Sequence, residues 1–135
     1  MLRMILAATL LSAAPAAQAH GTTGHDLTTK VTPLVTNPLQ GIPGKEGTML
    51  LVEYPPGGSD PVHRHNASAF VYVLEGSIIM GVRGGKEVKL NVGDTFLEQP
   101  DDIHTVGRNA STTKPAKFVV FIVKDADAPA FILGE

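Results

Sequence analysis

Apolar and polar residues alternate along this chain in short stretches, and none of them repeats apolar positions at helical spacing. Each stretch is rich in Val, Ile, Leu, Phe and Thr and is closed by Gly, Pro, Asn or Asp, the signature of short β-strands. The pattern predicts strands near 31–36, over 48–54 (TMLLVEY), 69–75, 77–83, 86–90, 95–98, 103–109 and 117–124 (KFVVFIVK). Pro55-Pro56-Gly57-Gly58 breaks the second strand, Gly76 forms a tight connection, and Gly84-Gly85 marks a hairpin. From Asp125 onward the tail reads as irregular. Strands of this length with a turn every eight to twelve residues predict an all-β fold, a single small barrel or sandwich of the jelly-roll kind. No fixed period is present, which excludes a solenoid.

The two ends change this picture in opposite ways. Arg3, the uncharged apolar run 5–14 and the A-x-A sequence Ala17-Gln18-Ala19 predict a signal peptide over 1–19. The run is too short to span a bilayer and Pro15 interrupts it, so the expected product is secreted and periplasmic, free of the membrane after cleavage. Residues 20–40 are polar, Thr-rich and interrupted by Pro33 and Pro38, and are expected to be partly mobile; 41–135 form the one folded domain. There are no cysteines, so burial and a closed sheet must hold an exported domain together, helped by any bound metal. Eleven basic residues face thirteen acidic ones with no basic run, which argues against nucleic acid as a partner. Two N-x-S sequons, at Asn66 and Asn109, are short enough to arise by chance.

The candidate chemistry lies in three histidines. His63 and His65 flank Arg64, so in an extended segment their rings share one face about 7 Å apart. His104, just after a turn on a later strand, can close a site on one ion with them. The alternative is three ordinary histidines, but their places in two separate motifs argue for a ligand set.

Those motifs read Gly57-x5-His63-x-His65-x3-Ala69-x6-Gly76 and Gly93-x5-Gln99-x-Asp101-x2-His104, with Asn109 following. The chain from Glu46 to Lys124 thereby resembles the cupin superfamily, whose motifs are G-x5-H-x-H-x3-E-x6-G and G-x5-P-x-G-x2-H-x3-N. The resemblance implies a cupin β-barrel with one divalent transition metal, Fe, Zn, Ni, Cu or Mn, held by His63, His65 and His104. It departs from the pattern at Ala69, where the family carries a glutamate ligand, at Gln99 and Asp101, and at Arg108, which stands where the asparagine would be.

With alanine at 69 the expected site has three neutral ligands and an open position. Glu98, Asp101 and Asp102 are alternative oxygen donors, expected to be solvated loop carboxylates instead. Ala69, Val71 and Val73 share the inward parity of His65, and Met80 that of the next strand, so these four are expected to line a small apolar substrate pocket for a compact organic ligand. Arg108 is a weak catalytic candidate by its parity with His104, set against a rim salt bridge. Phe70, Tyr72 and Leu74 make the opposite face of that strand apolar, which calls for a cover from the N-terminal segment or from a second copy in a homodimer. Cleavage after Ala19 would expose His20, a copper chelator with nothing to fix its geometry.

Two functions fit. The first is a metal-dependent enzyme, an oxygenase acting on a small apolar, phenolic or enolic substrate, with isomerase or lyase chemistry as variants. The second is a periplasmic module that holds a small ligand or metal without turning it over.

Overall fold

The computed structural model describes residues 27–134; the expected signal peptide and His20 lie outside them. Ten strands carry the fold: β1 Lys30–Pro38, β2 Lys45–Tyr54, β3 His63–Arg64, β4 Ser68–Glu75, β5 Ser77–Val82, β6 Val88–Asn91, β7 Thr95–Glu98, β8 Ile103–Asn109, β9 Ala116–Asp125 and β10 Ile132–Leu133. They form two antiparallel five-stranded sheets, ordered β1-β2-β9-β4-β7 and β10-β3-β8-β5-β6. The all-β jelly-roll expected from the pattern is what forms, and no helix occurs among the described residues.

Alternation explains which faces meet. Along β9 the side chains of Phe118, Val120 and Ile122 are buried while those between them are not, and β2 buries Leu50, Val52 and Tyr54 in the same way. Packed against Val71, Val73, Ile78 and Met80, they make one apolar core between the sheets. Gly76, linking β4 to β5, has φ of +71°, and a β-carbon there would lie 2.6 Å from the Pro115 carbonyl oxygen. Only glycine fits that turn.

Three features differ from the expectation. β1 is a nine-residue strand paired along β2, from Lys30 opposite Glu53 to Pro38 opposite Glu46. His63–Arg64 is itself a short strand, paired to β8 with His63 opposite His104. The tail is not wholly irregular: Ile132–Leu133 pairs back onto β3, and the buried Lys124, paired with Glu46, also donates to the Ala128 carbonyl at 2.7 Å to hold the preceding turn.

β1 extends the sheet edge and leaves the outer face of β4 uncovered. Phe70, Tyr72 and Leu74 are each nearly half exposed, as are Leu97 and Phe121 on the flanking strands. The N-terminal segment is therefore not their cover among the described residues.

Candidate metal centre

His63 and His104 face each other across the β3–β8 ladder, and His65 follows two residues on, so strand alternation turns all three rings into the interior. Backbone carbonyls settle the orientation of two of them. His63 Nδ1 lies 2.9 Å from the Pro61 oxygen and His65 Nδ1 2.6 Å from the Ala130 oxygen. A carbonyl can only accept, so both Nδ1 atoms carry the proton and both Nε2 lone pairs are left for the site.

Glu98, at the end of β7, joins them. It is 2 % exposed, with Oε2 3.3 Å from His65 Nε2 and 3.4 Å from His104 Nδ1. His63 Nε2 lies 3.2 Å from His104 Nδ1. Donor atoms of all four residues fall within 4.8 Å of one another. A tetrahedral ion with bonds of about 2.1 Å spaces its donors by roughly 3.4 Å, so these contacts have the span an ion needs. Glu98 Oε2 and His104 Nε2 are buried without a hydrogen-bond partner. An unsatisfied buried carboxylate oxygen costs about 1–3 kcal/mol or more, which a bound cation would offset. The residues fit a first-row transition ion with three imidazoles and one carboxylate.

The electrostatics point the same way. Burial favours the neutral acid at Glu98, but the close contact with His65 and the charges of His104, His65 and His63 outweigh it and hold the carboxyl below its ordinary range. Burial likewise opposes charging His65, yet the contact and charge of Glu98, with the Ala130 carbonyl and Asp60, raise it. His104 is pushed down, by burial first and by His63, with Glu98 and Asp60 offsetting part of this. A deprotonated His104 beside an ionised Glu98 is a ready ligand pair.

A cavity of about 330 Å³ opens onto the cluster. Its walls come from Leu50 and Val52 on β2, Phe118, Val120 and Ile122 on β9, and Met80 on β5. Phe131 and Leu133 of the C-terminal tail also line it, and the Phe131 ring sits 6.2 Å from that of His63.

Several expectations need correction. The three histidines come together, but Glu98 is a buried member of their cluster and not a solvated loop carboxylate. Glu98 stands opposite Ala69 in the β4–β7 pairing, a contact between distant segments of chain, so the acid sits one strand away from where the family motif carries it. The expected three-neutral-ligand set is thus replaced by a set that includes a carboxylate. Of the expected pocket residues Met80 lines the cavity, whereas Ala69, Val71 and Val73 are sealed in the core. Parity chose their face correctly but says nothing of where along the interior the space opens. Arg108 points away and pairs with Glu87 at 2.7 Å on the surface. The register between β5 and β8 slips between Gly81–Val106 and Val82–His104, and this bulge at Thr105 reverses the parity beyond it. The same extra residue moves the asparagine one place along. Asn109 is buried, donating from Nδ2 to the Pro55 and Lys114 carbonyls at 3.0 and 2.8 Å, so it ties two loops together.

The sequence profile of the cupin domain family matches residues 50–122, more than half of the chain. Solved structures show the same fold. DMSP lyase DddQ from Ruegeria pomeroyi superposes with a TM-score of 0.57 at 22 % identity, over 66 % of this chain and 45 % of that one. This chain thus spans less than half of that lyase. An oxalate oxidase in complex with the substrate analogue glycolate superposes with 0.59 at 22 %, over 96 % and 75 %. A cupin-like protein of Thermotoga maritima gives 0.62 at 18 %, over 78 % and 75 %. At these identities the likeness is one of fold alone. No curated protein matches the sequence at a significant level.

Proposed function

The chain belongs to the cupin domain family, and on that footing we propose that it is a mononuclear metal-dependent enzyme, of oxygenase type, acting on a small apolar, phenolic or enolic molecule. The observation that carries this reading is the buried cluster His63, His65, Glu98 and His104 at the head of an apolar cavity. An ion held there would supply a positive charge, and in the case of iron or copper a redox couple, next to a mostly apolar space. The chain's own residues do the rest: Pro61 and Ala130 orient two imidazoles, Glu98 offsets part of the ion's charge, and Phe118 and Phe131 bound an organic ligand. Fold relatives described as a lyase and as an oxidase show that the architecture alone does not select the reaction.

A binding module without turnover is the second reading, favoured by a cavity wall that is almost wholly apolar. Metal analysis of untagged protein, followed by oxygen uptake with a panel of small phenols and enols, separates the two. One divalent metal per chain, lost in His104→Ala, together with substrate-dependent oxygen uptake supports the enzyme. Metal without uptake supports the binder, and full occupancy in His104→Ala overturns both. The N-terminal pattern supports export to the periplasm, and the uncovered face around Phe70, Tyr72 and Phe121 supports a homodimer.

A further inference from the structure

Asp60 reaches the cavity from the loop between β2 and β3 and takes no part in the cluster. Three constraints hold it there. Its amide donates to the Gly107 carbonyl at 2.8 Å, Pro61 stiffens the next residue, and the Tyr54 hydroxyl donates to its Oδ2. Tyr54 is wholly buried, with its ring edge-on to Phe118 at 5.1 Å, so the hydroxyl has a fixed position. A β-carbon on Gly107 would stand 3.0 Å from Tyr54 Oη, 3.3 Å from Asp60 Oδ2 and 3.3 Å from His104 Cε1. These side chains therefore converge on one point beside the histidines.

Among the described residues the cavity lining contains two carboxylates, Glu98 and Asp60, and no lysine or arginine. Glu98 lies between His65 and His104, and Oδ1 of Asp60 receives no hydrogen bond from a described residue. An anionic ligand would meet Asp60 with no lysine or arginine among the described lining residues to offset it. A ligand without donors would strip water from the carboxylate and give nothing back. A mostly apolar ligand that brings a donor to Asp60 satisfies both the walls and this acceptor.

We infer that Asp60 is the proton acceptor of the cavity, aimed by Tyr54, and that the site takes a compact, mostly apolar ligand that arrives neutral and carries an acidic O–H. The inference rests on the proposed metal site. As the ligand settles, its O–H bond breaks and the electron pair stays on the oxygen turned toward the histidines. The proton forms a new O–H bond on Asp60. Tyr54 is a positioning residue: it touches Asp60 and not the ligand.

The test uses the full chain loaded with zinc, with catechol as probe and its dimethyl ether as the control that lacks the O–H. Calorimetry in two buffers of different ionisation enthalpy counts the protons released on binding. Wild type is expected to bind catechol without releasing a proton and to ignore the ether. Asp60→Asn is expected to bind catechol roughly ten- to a hundredfold more weakly and to release the proton to buffer, with Tyr54→Phe between the two. Wild-type affinity and proton count in Asp60→Asn overturn the inference. So does equal binding of the ether, or no binding of catechol to zinc-loaded wild type. Should Asp60→Asn fail to fold or to hold zinc, Tyr54→Phe decides: an unchanged proton count and affinity there overturn it. A wild-type chain that holds no divalent metal overturns the proposed function, and this inference with it; a zinc-loaded chain indifferent to these changes overturns the inference alone.

Discussion

Ala69 and Glu98 stand directly opposite each other across the β4–β7 ladder, both buried on the face that looks into the barrel. Opposed β-carbons in such a ladder are about 5 Å apart, so a carboxylate can reach the three histidines from either strand. In this chain the acid is on β7 and the alanine makes room for it.

Moving the acid back is therefore the sharpest test of the site. Glu98→Ala should weaken metal binding by at least the ~10–100-fold typical of losing an outer partner, read by competition with a chelator. Ala69→Glu alone adds a second buried carboxylate beside the first and should lower the melting temperature of the metal-free protein. The double variant Ala69→Glu with Glu98→Ala should recover affinity and stability together. If the double variant binds no better than Glu98→Ala, the two positions do not share the site.

The pH dependence follows from the directions of two shifts. Glu98 is lowered from 4.5, so its contribution to stability is present above that value and lost as pH falls through its folded pKa. His65 is raised from 6.5, so its contribution is present below that value and lost as pH rises through its folded pKa. The metal-free protein should be most stable between about pH 4.5 and 6.5 as far as this pair decides it. Metal uptake should run the other way, since the proton on His65 competes with the ion. Thermal melts and metal titrations across pH check both, and a metal affinity that rises with acidity would contradict the assignment.

Gly107 and Gly81 sit one residue apart in the β5–β8 pairing and make a matched pair of probes. A methyl at Gly81 meets its neighbours at 3.5 Å or more, an ordinary contact, whereas at Gly107 it presses on Tyr54, Asp60 and His104. Gly107→Ala should weaken metal or catechol binding, and Gly81→Ala should leave both unchanged. Equal effects in the two variants would mean that the crowding at Gly107 does not reach the site.

The C-terminal tail contributes to the centre through one hydrogen bond, from His65 Nδ1 to the Ala130 carbonyl. Deleting 130–135 removes that acceptor along with Phe131 and Leu133, which line the cavity. Metal affinity should drop by about 10–100-fold and the cavity should admit a bulkier probe. Phe131→Ala, which keeps the backbone carbonyl, should open the cavity and spare metal affinity.

The exposed face of β4 and its neighbours predicts self-association. Light scattering should give the mass of two chains for the protein and of one for Phe121→Glu, whose ring packs 6.4 Å from that of Phe70 on this face. A monomeric wild type would remove the homodimer.

Eight of the ten strands, the inward turn of His63, His65 and His104, and the outward turn of Tyr72 were legible in the sequence, because strand propensity and side-chain parity are local properties. The runs 48–54 and 117–124 were legible as the strands β2 and β9 from their apolar, β-branched content. Three matters were decided only in the folded molecule, where they depend on contacts between distant segments. Which carboxylate enters the site depended on β7 lying beside β4, a pairing that sets Glu98 against Ala69 across twenty-eight intervening residues of chain. Which way Arg108 faces depended on the bulge at Thr105, which no residue type there announces and which turns Asn109 inward instead. Where the cavity opens depended on which distant segments meet around it, with Phe131 and Leu133 of the tail lining it beside residues of β2 and β9. Local parity assigns a face to every residue; only the packing of one sheet on the other decides whether that face meets core, ligand or ion.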